Sequence, residues 1–137
     1  LEAAIQTNLL GPFRLIKAVA GAMFLAGGGD IVNISSDAAK TPYPNWGAYS
    51  VSKAALDMLT EIMALESEAA GLRFLRLDQG EMDTTLHEQA LPDTEKSTLN
   101  QPQDVAKAFI DFLVKRETRN RHINLVFDRA FGLKEAL

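Results

Sequence analysis

The sequence predicts an α/β chain built on a parallel sheet of about three strands with flanking helices. Three short runs rich in apolar and β-branched residues, "DIVNIS" (30–35), "LRFLRLD" (72–78) and "HINLVFD" (122–128), alternate with long stretches of helical periodicity. Connections of that length suit right-handed crossovers, and no repeat, low-complexity tract or linker interrupts them. With 137 residues, 47% hydrophobic and 23% charged, the chain suits one domain, 1–137, with a single core.

Each element follows from its local pattern. Between Glu2 and Ala26, residues Ile5, Leu9, Phe13, Ile16, Ala20 and Phe24 recur at three- or four-residue steps, the stripe of an amphipathic helix, and "GGG" at 27–29 stops it. "DIVNIS" then reads as a strand buried on both faces, followed by the proline-containing loop "DAAKTPYPNWG". A second helix is predicted over about 48–69, closing before Gly71. Its apolar residues, among them Val51, Leu56, Met58, Ile62 and Leu65, spread around too much of the circumference for a helix with one wet side. That predicts a second packed surface, against another subunit. After the strand at 72–78 comes a polar stretch long enough to be a functional loop, and then Pro102 opens a helix with Val105, Phe109, Phe112 and Leu113 on one face.

Composition narrows the function classes. A net charge of −4 and a pI near 5.1 leave no basic surface to follow a phosphate backbone, so nucleic acid is not an expected partner. The absence of cysteine excludes disulfides and thiol redox chemistry and is compatible with cytoplasmic residence. Neither a basic leader nor an unbroken apolar run of roughly 20 residues is present, so no signal peptide and no membrane span are expected. His87 and His122 have no companions at ligand spacing, so no metal site is expected. "GGGD" precedes a strand rather than opening a helix, which makes it a turn and not a phosphate loop.

Chemistry is suggested by "AYSVSKAAL" at 48–56. On a helix Tyr49 and Lys53 project from one face, and an ammonium there favours the phenolate. Taken alone, such a pair is more often a helix-start tyrosine beside a surface lysine. Here, however, "NISS" ends a strand thirteen residues before the tyrosine, at the sheet terminus where ligands bind in open α/β folds, and would bring Ser36 beside Tyr49. Tyr43 and Trp46, in the intervening loop, read equally as pocket lining or as simple packing.

In this order and spacing "NLLG", "IVNISS" and "YSVSKAAL" resemble the short-chain dehydrogenase/reductase family, from about Gln6 to Val114. The resemblance implies a catalytic tetrad of Asn8, Ser36, Tyr49 and Lys53. It also implies hydride transfer between NAD or NADP and a small-molecule carbonyl/alcohol substrate, with Tyr49 exchanging the hydroxyl proton and Ser36 binding the substrate oxygen. Lys53 would lower the tyrosine pKa and hold the coenzyme ribose. Asn8 admits a separate argument: in an α-helix its carbonyl would accept from residue 12, but Pro12 has no N–H, leaving the carbonyl free for a water. "QGEMDT" resembles the family's Pro-Gly-x-x-x-Thr segment, so Gly80 and Thr84 would join Tyr49 and Lys53 at the coenzyme, with Gln79 in place of the proline. Residues 85–100 would then form a mobile lid.

The family's first strand and glycine-rich turn, which hold the dinucleotide pyrophosphate, have no counterpart here. The chain opens on Leu1 within a helical pattern, so it is expected to represent the C-terminal catalytic half of a Rossmann-type fold, the N-terminal half being absent. Its "DIVNIS" strand would expose an unpaired edge. Homo-oligomerisation through the helices at 2–26 and 48–69, the surfaces the family uses, is the expected remedy. The alternative is a truncated, catalytically inactive relative acting as a binding or scaffold module.

Overall fold

The computed structural model describes residues 1–67, 71–115, 122–128 and 132–135. Helix α1 (Glu2–Leu25) is α-helical over Glu2–Ile5, π-helical over Gln6–Leu10 and α-helical again over Gly11–Leu25. The wider turn falls just ahead of Pro12, and there Gly11 N–H reaches back five residues to the Gln6 carbonyl. Strand β1 (Gly29–Ile34) follows, then a 3₁₀ turn (Asp37–Ala39), α2 (Gly47–Glu66) and β2 (Leu72–Asp78). Next come α3 (Thr85–Ala90), a second 3₁₀ turn (Lys96–Thr98), α4 (Pro102–Lys115), β3 (His122–Asp128) and β4 (Gly132–Glu135). The last three residues of the helix expected to about 69 include positions outside the described residues.

The sheet runs β1-β2-β3-β4. The first three strands are parallel, as the alternation predicts, and β4 returns antiparallel on β3. No local pattern in the sequence predicts this fourth strand. Among the described residues β1 has a neighbour on one side only, as expected of an edge.

Side chains alternate across the sheet, so its two faces carry separate clusters. Ile31, Leu72 and Phe74 pack with Ile16, Ala20 and Met23 of α1 and Met63 and Ala64 of α2. On the other face Leu75, Leu77 and Leu125 meet Phe109, Phe112 and Leu113 of α4. Each fully buried side chain of this size contributes about 1.5–3 kcal/mol through removal from water. Beneath α2 the same alternation buries polar groups: Asn33 Nδ2 donates to Thr60 Oγ1 at 2.8 Å, and Arg76 pairs with Glu61 at 2.6 Å and lies 3.8 Å from Asp57. Gly28, at φ +114°, lies so close to the Gly71 carbonyl oxygen that any Cβ would collide with it, which brings the end of α1 onto the start of β2.

The outer faces of α1 and α2 are apolar. Leu15, Phe24 and Leu25 on α1, and Val51, Met58, Ile62 and Leu65 on α2, are exposed, so the breadth of the α2 stripe noted in the sequence corresponds to side chains facing solvent. By length and composition α1 also meets what a bilayer-crossing helix needs (24 residues, mean hydropathy 1.2), against the expectation drawn from the lack of an unbroken apolar run. Ile16 and Met23 of this helix pack on the sheet, while most of its surface, Arg14 and Lys17 included, is not buried.

Candidate active site

The C-terminal end of β1 and the first turns of α2 converge. The N–H of Ser35 points to β2, donating to the Leu77 carbonyl at 2.8 Å, so strand alternation turns the Ile34 peptide groups toward the unpaired edge. A carbonyl there needs another donor. Lys53 supplies it, Nζ to Ile34 O at 2.9 Å, and the same ammonium lies 5.6 Å from the centroid of the Tyr49 ring. Phenol and cation thus share one face of α2, and the cation is fixed at the sheet terminus rather than trailing in solvent. Burial holds the Lys53 ammonium below its usual pKa, with Asp57 and Asp78 acting in the opposite direction.

Asn8 is tied to the same turn of α2. Its Nδ2 donates to Ser52 Oγ at 2.9 Å, and Ser52, with no exposed surface, donates to the Tyr49 carbonyl at 2.7 Å. Gln6–Leu10 is π-helical rather than α-helical, so the turn around Asn8 is wider than the register from which a free carbonyl was expected, and the contact described for Asn8 is that of its side chain.

Ser36 has extended backbone and caps the 3₁₀ turn: its Oγ accepts the Ala38 N–H at 3.2 Å and donates to Asp37 Oδ1 at 3.1 Å. Tyr49, Lys53, Asn8 and Ser36 are therefore held by β1, α1 and α2 around one end of the sheet. Direct contact joins Lys53 to Tyr49, and Asn8 to the backbone of Tyr49 through Ser52. Ser36 makes its hydrogen bonds within its own turn.

Gly80 follows β2 at φ +66°, and its N–H donates to Asp78 Oδ1 at 2.9 Å. A Cβ at Gly80 would stand 2.9 Å from Asn100 Nδ2, which donates to the Gln79 carbonyl at 3.3 Å. The missing proline thus has an amide clamp in its place. Thr84 caps α3, its Oγ1 accepting the His87 N–H at 3.2 Å. The charge of Asp78 acts on both Lys53 and Tyr43, which sets the end of β2 against the same region, while burial raises the Asp78 carboxyl itself. The stretch 85–100 expected as a lid contains α3, and Asn100 at its end is tied to the segment before it, accepting from Asp83 N–H and donating to Glu81 O, both at 2.9 Å.

Sequence reasoning missed two features. Asp37, one residue past Ser36, accepts the Tyr43 hydroxyl on Oδ2 at 2.5 Å, and the Tyr43, Trp46 and Tyr49 rings follow one another at centroid distances of 6.2 and 5.5 Å. The only signal was the aromatic content of the loop. Buried Asp57, whose carboxyl is raised by burial, and Arg76 form the second, a strand-to-helix contact that no local spacing announces.

These residues fit the nicotinamide end of a dinucleotide. The ammonium is fixed at the strand terminus, and the tight positive-φ turn at Gly80 is a place where backbone approaches closely. They do not include a glycine-rich turn that opens a helix: Gly27 and Gly28 lie at the start of β1, the opposite end of the strand. An open hollow of about 540 Å³ beside α1, lined by Leu10, Phe13, Arg14, Lys17 and Ala18, contains none of the candidate residues.

Comparison with known proteins gives the family of the chain. Residues 1–95 match the family model described as short chain dehydrogenase. A short-chain type dehydrogenase/reductase of Picea abies is 44% identical over 61 residues, covering 44% of this chain and 22% of the relative. Dehydrogenase/reductase SDR family member 4 of Homo sapiens is 31% identical over 126 residues, covering 85% and 45%. Among solved structures, a short chain dehydrogenase from Salmonella enterica superposes with a TM-score of 0.79 at 23% identity, covering 89% of this chain and 50% of that one. One from Shigella flexneri, complexed with NADP, gives 0.78 at 24% identity, covering 88% and 50%. The chain spans less than half the length of these curated relatives. The strand-end serine, the Tyr-Lys turn of α2 and the family match over residues 1–95 together make the chain a member of the short-chain dehydrogenase family.

Proposed function

We propose that the chain carries the proton-handling half of an NAD(P)-dependent oxidoreductase acting on a small carbonyl or alcohol. The observation that carries this is the placement of the Lys53 ammonium, anchored on the Ile34 carbonyl one helical turn from Tyr49. Tyr49 exchanges the proton of the substrate hydroxyl, and the adjacent cation stabilises the phenolate that results. Ser36 donates to the substrate oxygen once its hydroxyl leaves Asp37. Asn8, through Ser52, fixes the turn that bears both Tyr49 and Lys53. Lys53, Tyr49, Gly80 and Thr84 are the residues to hold the nicotinamide nucleotide, which when bound supplies or takes the hydride. The dehydrogenase names of the relatives, and the NADP in the Shigella flexneri neighbour, support the coenzyme class.

The outward apolar faces of α1 and α2 support homo-oligomerisation through these helices, and the lack of cysteine suits the cytoplasm. They equally favour a second reading, a scaffold that assembles without turnover. Titration with NADH and NADPH separates the two. Saturable quenching or enhancement of nicotinamide fluorescence that is lost in Lys53→Met supports the enzyme. No change with either coenzyme excludes coenzyme binding by this chain and leaves the scaffold.

A further inference from the structure

Between β1 and α2 lies a chain of contacts that the tetrad does not include. Both oxygens of the Asp37 carboxylate are engaged: Oδ1 accepts from Ser36 Oγ at 3.1 Å and Oδ2 from the Tyr43 hydroxyl at 2.5 Å. Because Ser36 Oγ also accepts the Ala38 N–H, its only hydrogen is directed at Asp37. Tyr43 leans on Trp46 with ring centroids 6.2 Å apart and planes at 59°. Trp46 in turn meets Tyr49 edge to face at 5.5 Å and 78°. Asn45, at φ +70°, makes the backbone turn between the first two rings, a conformation asparagine tolerates better than most residues.

We propose that Asp37 is a positioning residue: its carboxylate holds the Ser36 hydroxyl on one oxygen and, on the other, tethers the Tyr43–Trp46 ladder that packs against Tyr49. One group outside the tetrad thereby sets both candidate proton-handling oxygens. A substrate oxygen can take the Ser36 proton only by displacing it from Asp37, and loss of the Asp37 charge releases serine and ladder together. Hydrogen bonds to an ionised acceptor are the stronger kind, which favours the closed arrangement until substrate competes. In keeping with this geometry, the Tyr43 phenol is held above the ordinary range, first by its hydrogen bond to Asp37 and then by the charge of that carboxylate; Glu81 and Asp78 act in the same direction. The consequence for turnover rests on the oxidoreductase reading, whereas the tether itself can be measured without coenzyme.

The chain contains two tyrosines and one tryptophan, so each end of the ladder has its own optical signal. In a Tyr49→Phe background the phenolate absorbance titration reads Tyr43 alone. Adding Asp37→Asn is expected to move its midpoint down toward the ordinary phenol value, and Asp37→Glu to restore part of the shift. In the otherwise unaltered chain, Asp37→Asn and Tyr43→Phe are each expected to shift Trp46 emission to the red as the ring loses its support and gains water. Tyr43→Phe removes only a hydroxyl from a half-exposed side chain, so it decides the second arm should Asp37→Asn impair folding. An unmoved Tyr43 midpoint in Asp37→Asn, or unmoved Trp46 emission in Tyr43→Phe, overturns the proposal. Neither signal needs turnover, so a chain without activity still reports whether the tether exists.

Discussion

Replacing Asn8 by alanine removes the amide that ties the π-helical turn of α1 to the first turns of α2. The bond spans 2.9 Å and joins a half-buried amide to a serine with no exposed surface. A net hydrogen bond contributes about 0.5–1.5 kcal/mol, so Asn8→Ala should cost about 1 kcal/mol. Ser52→Ala should cost about 1–2 kcal/mol, because it also removes the 2.7 Å bond to the Tyr49 carbonyl and leaves the Asn8 amide unsatisfied. The double variant loses the shared bond once. Its cost should therefore fall short of the sum by about 1 kcal/mol, well outside the few tenths within which independent sites add. Urea unfolding of the four chains, with unchanged m-values, measures this coupling. Additivity to within about 0.3 kcal/mol would refute the claim that Asn8 positions the Tyr49–Lys53 turn through Ser52.

Three further outcomes are expected. Gly80→Ala places a Cβ at φ +66° and 2.9 Å from an amide already engaged by Gln79, so it should cost about 1–2 kcal/mol in unfolding experiments and weaken any coenzyme binding; unchanged stability would remove the turn from the site. Asp78 has its carboxyl raised by burial, so its favourable contribution is complete below the unfolded pKa and is lost as pH rises through the folded one. Asp78→Asn keeps an acceptor for Gly80 N–H, and should raise Tm at pH 7 with a gain that vanishes near pH 3; a gain independent of pH would contradict the assignment to burial. Sedimentation at about micromolar concentration should find a dimer or larger, dissociated by Leu65→Glu on the exposed face of α2, whereas a well-folded monomer of the unaltered chain would end the oligomer reading.

What could be read from the sequence divides along a physical line. Strands at 72–78 and 122–128 were legible to the residue because apolar runs there end abruptly in charged residues or turns, and the limits of β1 moved by only one. Side-chain pairs at i, i+4 on a helix were legible too, which is how Tyr49 and Lys53 came to notice. The π-helical turn was not, since a stripe at steps of three and four continues past it unbroken and Pro12 announces only a missing donor. Contacts between distant segments stayed equally hidden. Nothing local to Arg76 indicates Asp57 or Glu61, and nothing in "SSDAAKTPY" requires the aspartate to face both neighbours. Strand β4 escaped notice because four residues carry too little periodicity to be distinguished from a loop.

The hydrogen bond from Lys53 to the strand has a further effect on self-association. Along β1 the peptide groups of Asp30, Val32 and Ile34 share one side of the ladder, the side without a neighbouring strand among the described residues, and the last of their carbonyls is already occupied. A foreign strand zipping along this margin would find two rungs open and a positive charge at the third. Lysine is the residue with which natural sheets blunt such margins. In the chain as described, Lys53→Met should therefore free the third carbonyl and raise self-association along this margin.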